Sequence, residues 1–194
     1  MYASLVMVLV VAAGGCASSP PMHYYTLSEV APDARLTGSA DRVIVRLDRV
    51  TIPAELDRLQ IVRRIDSTHL QIAELDRWAA PLDDMIRRVL SADLALRLPV
   101  NGVADPNEPP LGEPRQSLSL DVQDFYADAD CKVTLRAAWV VKRPDAPTTR
   151  STEEVQVDGG ACSGNSALPE RMSRALAVVS DRIAHSLVGQ PLGQ

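Results

Sequence analysis

The sequence predicts an α+β domain: a mostly antiparallel β-sheet with two long helices packed on one face. Three observations predict it. Residues 81–98 and 166–187 place apolar side chains at helical spacing, three and four apart. The runs before and between them alternate apolar with polar residues, as half-buried strands do. Composition allows one ordinary globular core, with 46% hydrophobic and 23% charged residues in a 194-residue chain. Aromatics are only 4%, so that core rests on Val, Leu, Ile and Ala.

Taken in order, the chain opens on an apolar run from Leu5 to Ala13, followed by Gly14-Gly15-Cys16 and Ala17-Ser18-Ser19-Pro20-Pro21. Such a run is too short to span a bilayer, which takes about 20 helical residues. It ends in small residues, as a secretory leader does. Ala13-Gly14-Gly15-Cys16 resembles a bacterial lipobox, in which the cysteine sulfur is acylated and the chain is cut just before it. The competing readings are an ordinary leader with an incidental cysteine, or a buried first strand. A Ser-Ser-Pro-Pro tether and the absence of any charged residue before Glu29 favour the lipobox. The expected divisions are a leader over 1–15, a lipidated Cys16 with flexible tether over 16–22, and one domain over 23–190. The six tether residues after Cys16 reach about 20 Å at ~3.6 Å each, keeping the body near a membrane. A single acyl chain anchors only marginally, so two or three (palmitate-like) chains on Cys16 are expected.

Residues 23–30 are rich in strand formers and predict a first strand. Residues 42–52 alternate, with Val43, Val45 and Leu47 on one side, and fall out of phase near Arg49, which predicts a kinked strand. Residues 53–57 predict a turn, and 60–65 and 69–75 a hairpin turning at Asp66-Ser67-Thr68. In the first helix Pro81 suits the first turn, Asp83 and Asp84 favour the N-terminal dipole, and Leu82, Met85, Ile86, Val89, Leu90, Leu94 and Leu96 form the apolar face. Five prolines in residues 99–114 exclude a regular element there and predict a long exposed loop. Residues 117–125, 133–141 and 151–157 predict three antiparallel strands. Met172, Ala175, Leu176, Val179, Ile183 and Leu187 make the stripe of the closing helix, which Ser166 would cap.

With Cys16 assigned to lipid, Cys131 and Cys162 remain as an even pair in an exported chain, where disulfides form and persist. A hairpin centred on residues 144–149 has its axis between 146 and 147, which sets Cys131 opposite Cys162 at disulfide distance. The alternative is two unpaired buried thiols. The bridge would be structural, since redox chemistry prefers Cys-x-x-Cys.

Net charge is −5 with both signs interspersed, which argues against nucleic acid as a partner. His23, His69 and His185 lack a second ligand at metal spacing, and no Gly-x-Ser-x-Gly, Walker or Gly-x-Gly-x-x-Gly motif occurs. No catalytic residue, cofactor or metal is therefore expected. Gly159-Gly160 reads as a turn, and Asp83-Asp84, Asp124 and Asp128-Ala129-Asp130 as solvated carboxylates. Arg63-Arg64 reads as an outward-facing charged strand edge that deters aggregation, or as a contact for lipid headgroups or a partner.

Tyr24-Tyr25-Thr26-Leu27 shortly after the lipid cysteine, then residues 43–52 running into Pro53-Ala54-Glu55-Leu56-Asp57-Arg58-Leu59-Gln60-Ile61-Val62-Arg63, carry a family resemblance. Arg77-Trp78-Ala79-Ala80-Pro81-Leu82 carries it furthest, joined by Arg88-Val89-Leu90, Ala138-Trp139 and Ser173-Arg174-Ala175-Leu176. The chain resembles the ABC-type transport auxiliary lipoproteins of the PqiC/YmbA type. The resemblance implies a non-enzymatic lipoprotein of a Gram-negative bacterium, on the periplasmic face of the outer membrane. There it would serve an MCE-domain protein and its permease/ATPase complex in moving phospholipid between membranes. Ala17 and Ser18 after Cys16, with no Asp, resemble the outer-membrane sorting pattern of enterobacterial lipoproteins. A homo-oligomer fits a conduit. Trp78 and Pro81 match the family motif as fold determinants. The alternative function is a periplasmic assembly factor, pilotin-like or chaperone-like, binding an apolar client segment.

Overall fold

The longest strands organise the sheet, and β6 (Gln116–Ala127) is its spine. The computed structural model describes residues 19–34, 36, 44–98, 103–104, 116–160 and 164–188. Along one edge β6 pairs antiparallel with β7 (Val133–Arg143), which pairs antiparallel with β8 (Ala146–Val157). Along its other edge β6 takes two parallel partners end to end. The first is β2 (Val45–Thr51), from Val45↔Gln116 to Thr51↔Asp121. The second is β3 (Gln60–Arg64), at Arg63↔Ala127. Strand β4 (Leu70–Trp78) is antiparallel to β3, while the short β1 (His23–Tyr25) runs parallel to β4 and β5 (Val103–Ala104) parallel to β2. Among the described residues the result is an eight-stranded mixed sheet in which the long ladders are antiparallel.

Two helices, α1 (Leu82–Arg97) and α2 (Leu168–Val188), cover one face. The predicted apolar stripe of α2 is buried in full: Met172, Ala175, Leu176, Val179, Ile183 and Leu187. It packs on β7, whose alternating Val133, Leu135, Ala137, Trp139 and Val141 are all buried. Trp139 Nε1 donates to Ser186 Oγ at 3.4 Å, so its one polar atom is satisfied inside the core. The kink expected near Arg49 is a register shift between Leu47 and Arg49. It lets Val45, Leu47 and Val50 all point inward. The hairpin at residues 66–68 forms as expected, with Asp66 Oδ1 accepting the amides of Thr68 and His69 at 2.8 Å each.

Several expectations are corrected. The first strand stops at Tyr25, and residues 26–30 leave the sheet to lie over the helices. Pro81 is the N-cap of α1 rather than a member of its first turn. Leu96 is only half-buried; Asp93 and Arg97 take the inner face of that last turn. Within residues 99–114, Val103–Ala104 forms a strand, because β2 leaves one edge open to it; the rest of that stretch lies outside the described residues.

The β7–β8 hairpin is tighter than predicted. Arg143 pairs with Ala146 across a turn at Pro144 and Asp145, and Val133 pairs with Val157. Extending that register sets Gly159 beside Cys131. The packing agrees: a Cβ on Gly159 would fall inside van der Waals contact of the Asp130 carbonyl oxygen and 3.2 Å from the Lys132 amide nitrogen. Both neighbours are backbone and cannot swing aside. Gly159→Ala is therefore expected to cost about 1–3 kcal/mol in chemical denaturation; an unchanged midpoint would contradict this close approach.

Candidate functional site

Three clusters of polar side chains stand out, and a strap from the N-terminus joins two of them. After β1 the chain crosses the groove between α1 and α2. Leu27 plugs the core, at 1% exposure. The Ser28 amide donates to Ser173 Oγ at 3.1 Å, and the Val30 amide to Asp93 Oδ1 at 3.0 Å. Arg97 Nη1 returns a bond to the Val30 carbonyl at 3.1 Å. An extended segment has no backbone partners of its own, so these side chains supply them.

Beneath the strap lies a buried ionic cluster. Asp93 and Arg97 are one helical turn apart on α1, 3.3 Å between Oδ1 and Nη1, and almost wholly buried. Arg97 Nε also donates to Asp181 Oδ1 at 2.5 Å, and Ser180 Oγ to Asp93 Oδ2 at 3.1 Å, which ties α2 to α1. Burial raises the pKa of Asp93 above the usual carboxylate value, outweighing the Val30 amide, Arg97 and Ser180, which favour its charge. At the start of the strap Asp76 accepts from Asn165 at 2.7 Å and Tyr25 at 3.2 Å and meets His23 at 3.0 Å. Burial pushes this carboxyl up, but the three hydrogen bonds outweigh it and leave its pKa lowered. The first residues of the body are thus riveted to the sheet and to the turn before α2.

The sheet face away from the helices carries a charged ladder. Asp124, Arg136 and Glu154 lie directly opposite one another on β6, β7 and β8. Arg136 Nη2 donates to Asp124 Oδ2, and its Nε lies 3.8 Å from Glu154. Arg64 Nη1 reaches the other Asp124 oxygen at 3.0 Å, and its guanidinium stacks 4.1 Å over the Tyr126 ring. Tyr126 in turn donates to Glu55 Oε1 at 2.8 Å. The register shift between Val122 and Asp124 makes this possible. Without that extra residue the alternation would turn Asp124 into the core and Phe125 out of it.

These contacts overturn two sequence expectations. Asp124 is mostly buried and paired rather than solvated. Arg63-Arg64 is not a strand edge, because β3 is paired on both sides. Arg63 Nη2 donates to the carbonyls of Asp128 and Ala129, at 2.7 and 2.9 Å.

Burial, then the Glu55 carboxylate, push the Tyr126 phenol up to about 12. A raised folded-state value holds stability that is fully present below the unfolded phenol's pKa, near 10, and is lost as pH rises through 12. Tyr126→Phe should flatten that alkaline decline in denaturation midpoints between pH 10 and 12. An identical decline in the variant would contradict the Glu55 contact.

Beside the ladder, the same face holds a shallow trough of about 520 Å³ between Arg49 and Arg150. Among the described residues no three His, Cys, Asp or Glu converge as a metal site, and no helix is long and apolar enough to cross a membrane. Of the predicted site residues, Cys16 and Cys162 lie outside the described residues. Cys131 is buried at 0% exposure with φ +59°, and its Sγ lies 3.9 Å from the carbonyl oxygen of Gly164, two residues beyond Cys162. Asp93 and Arg97 were missed because a charged pair inside an apolar stripe reads as a surface turn. Their i, i+4 spacing was the available signal.

Two crystal structures share the fold. One, an uncharacterized protein, has a TM-score of 0.68 at 20% identity, over 87% of this chain and 99% of that one. The other, from Xanthomonas campestris, has a TM-score of 0.66 at 15% identity, over 86% and 95%. The intermembrane transport lipoprotein PqiC of Escherichia coli K12 is 30% identical over 138 residues, 67% of this chain and 72% of PqiC; PqiC of Shigella flexneri matches equally. The model of the ABC-type transport auxiliary lipoprotein component matches residues 25–184, from β1 to the last turns of α2. With sequence, relatives and fold in agreement, the chain belongs to the ABC-type transport auxiliary lipoprotein component family.

Proposed function

We propose that this protein is an outer-membrane-anchored periplasmic lipoprotein, a non-enzymatic auxiliary subunit of an ABC/MCE-type system that moves phospholipid between the inner and outer membranes. The observation that carries the reading is the family match over residues 25–184, joined to the likeness to PqiC. The divisions follow: a leader over 1–15, lipidated Cys16 with its tether over 16–22, and the domain over 23–190. Rivets at Asp76 and Asp93 fit this arrangement. They fix the chain within a few residues of the tether, so the body is held at the membrane by a short lead. Cys131 and Cys162 form a structural disulfide; the Cys131 sulfur already faces the segment that follows Cys162. An MCE-domain protein with its permease and ATPase is the partner complex, and the subunit acts as a homo-oligomer.

Crosslinking in intact cells, followed by recovery of the lipoprotein from membranes and identification of attached proteins, tests the role. An MCE-domain protein among the crosslinked partners is expected. Its absence across crosslinkers of several lengths would contradict the proposal.

A further inference from the structure

On an acidic chain, three cations around the trough on the helix-free sheet face have no ion-pair partner among the described residues: Arg49, Lys142 and Arg150. All three are exposed. The two acids at the rim are already engaged. Asp48 is paired with Arg46 at 2.5 Å, and Asp121 accepts from Thr51 Oγ1 at 2.7 Å. With Asp48 paired and only the Asp121 carboxylate set against three cations, the trough presents net positive charge.

Register fixes its shape. Arg49, Ser119, Val140 and Arg150 form one unbroken row across β2, β6, β7 and β8. Residues opposite one another share a face, so both guanidinium stems rise from the same side. Three strand spacings of ~4.8 Å set Arg49 and Arg150 about 14 Å apart at Cα. Between them the floor is low, made by Ser119, Ala138 and Val140. Lys142 lies two residues beyond Val140 on β7, flanking the same floor.

A compact anion such as a phosphate is usually held by converging backbone amides at a helix N-terminus or nest. This trough has neither. Its floor is strand backbone already consumed by the ladders, and its cations stand apart along a line. A line of separated cations over a low floor matches a chain with separated carboxylates. At ~3.4 Å per residue, acidic side chains four residues apart in an extended segment span about 14 Å.

We propose that the Arg49–Arg150 trough is a docking site for an acidic segment of a partner protein, laid across the strands with carboxylates four residues apart on the two arginines. The segment crosses the sheet rather than extending it, so recognition is through side-chain charge and not through strand addition. The proposal rests on charge and register alone. It holds whether or not the partner belongs to a transporter, so loss of the transport role would leave it standing.

A photoreactive phenylalanine analogue at exposed Thr152, beside the trough, tests it in the full-length protein in cells, with exposed Ala95 on α1 as control position. Crosslinked peptides are sequenced by mass spectrometry. The expected result is a partner peptide with Asp or Glu at four-residue spacing. Its capture should fall at least tenfold in the R49Q/R150Q variant and return in R49K/R150K, with the Ala95 adducts unchanged. Capture insensitive to these charges would overturn the proposal. So would a captured peptide without such carboxylates, an adduct with lipid in place of protein, or no adduct at all. Protein level and thermal midpoint of each variant show that folding is intact, as expected for exposed positions.

Discussion

Arg97→Ala is expected to lower the unfolding free energy by about 3–5 kcal/mol, because it strands a buried carboxylate. Arg97 is 2% exposed and Asp93 0%, so the carboxylate is left in a desolvated place. Two other elements lose a partner at once: the Val30 carbonyl on the strap and the Ala177 carbonyl on α2, bonded to Arg97 at 3.1 and 3.3 Å. Asp93→Asn should cost much less. Its amide oxygen still accepts from the Val30 amide, a neutral amide costs less to bury than a carboxylate, and Arg97 keeps its ion pair with Asp181. The pH dependence separates the two variants further. The folded-state pKa of Asp93 is raised, so the folded protein binds a proton more readily than the unfolded chain. Stability contributed by that proton is present below the unfolded carboxylate value and lost as pH rises through the folded one. Asp93→Asn removes this slope. Denaturant titrations across the acid range check it, and a variant that keeps the wild-type slope would contradict the assignment. Amide exchange at Val30 reads the strap directly and should accelerate in Arg97→Ala.

Cys162→Ser is expected to cost about 3–4 kcal/mol, the loop-closure value for a bridge spanning roughly 30 residues. The structure changes the reason for expecting the pair. Symmetry about a loosely turned hairpin would set Cys131 against Cys162, but the observed turn shifts the register and gives that place to Gly159. What supports the pair instead is the place of Gly164, two residues beyond Cys162, whose carbonyl oxygen lies 3.9 Å from the Cys131 sulfur. Unreduced protein, denatured and treated with a thiol reagent, should show no labelling at either position. Two reactive thiols, with Cys162→Ser as stable as the parent, would exclude the bridge.

The elements that the sequence made legible are those whose pattern is set by one buried face. The α2 stripe, the β7 alternation and the Arg49 kink follow from apolar spacing, the 66–68 hairpin follows from its Asp-Ser-Thr turn, and all appear. What stayed hidden depends on tertiary company. Residues 26–30 have strand-forming side chains, but they pair with α1 and α2 rather than with a strand. Asp124 and Arg64 look like surface charges until the register shift and the two-sided pairing of β3 bring them together over Tyr126. The parallel pairings of β2 and β3 along one edge of β6 join residues some 70 apart in sequence, as in Thr51↔Asp121, and no local pattern encodes them.

Tethering through Cys16 underlies the proposed role, and mass spectrometry of the mature protein extracted from membranes tests it most directly. That role predicts a chain beginning at Cys16 and carrying thioether-linked lipid on that residue. A chain that retains residues 1–15, or one whose Cys16 bears an unmodified thiol, would contradict it.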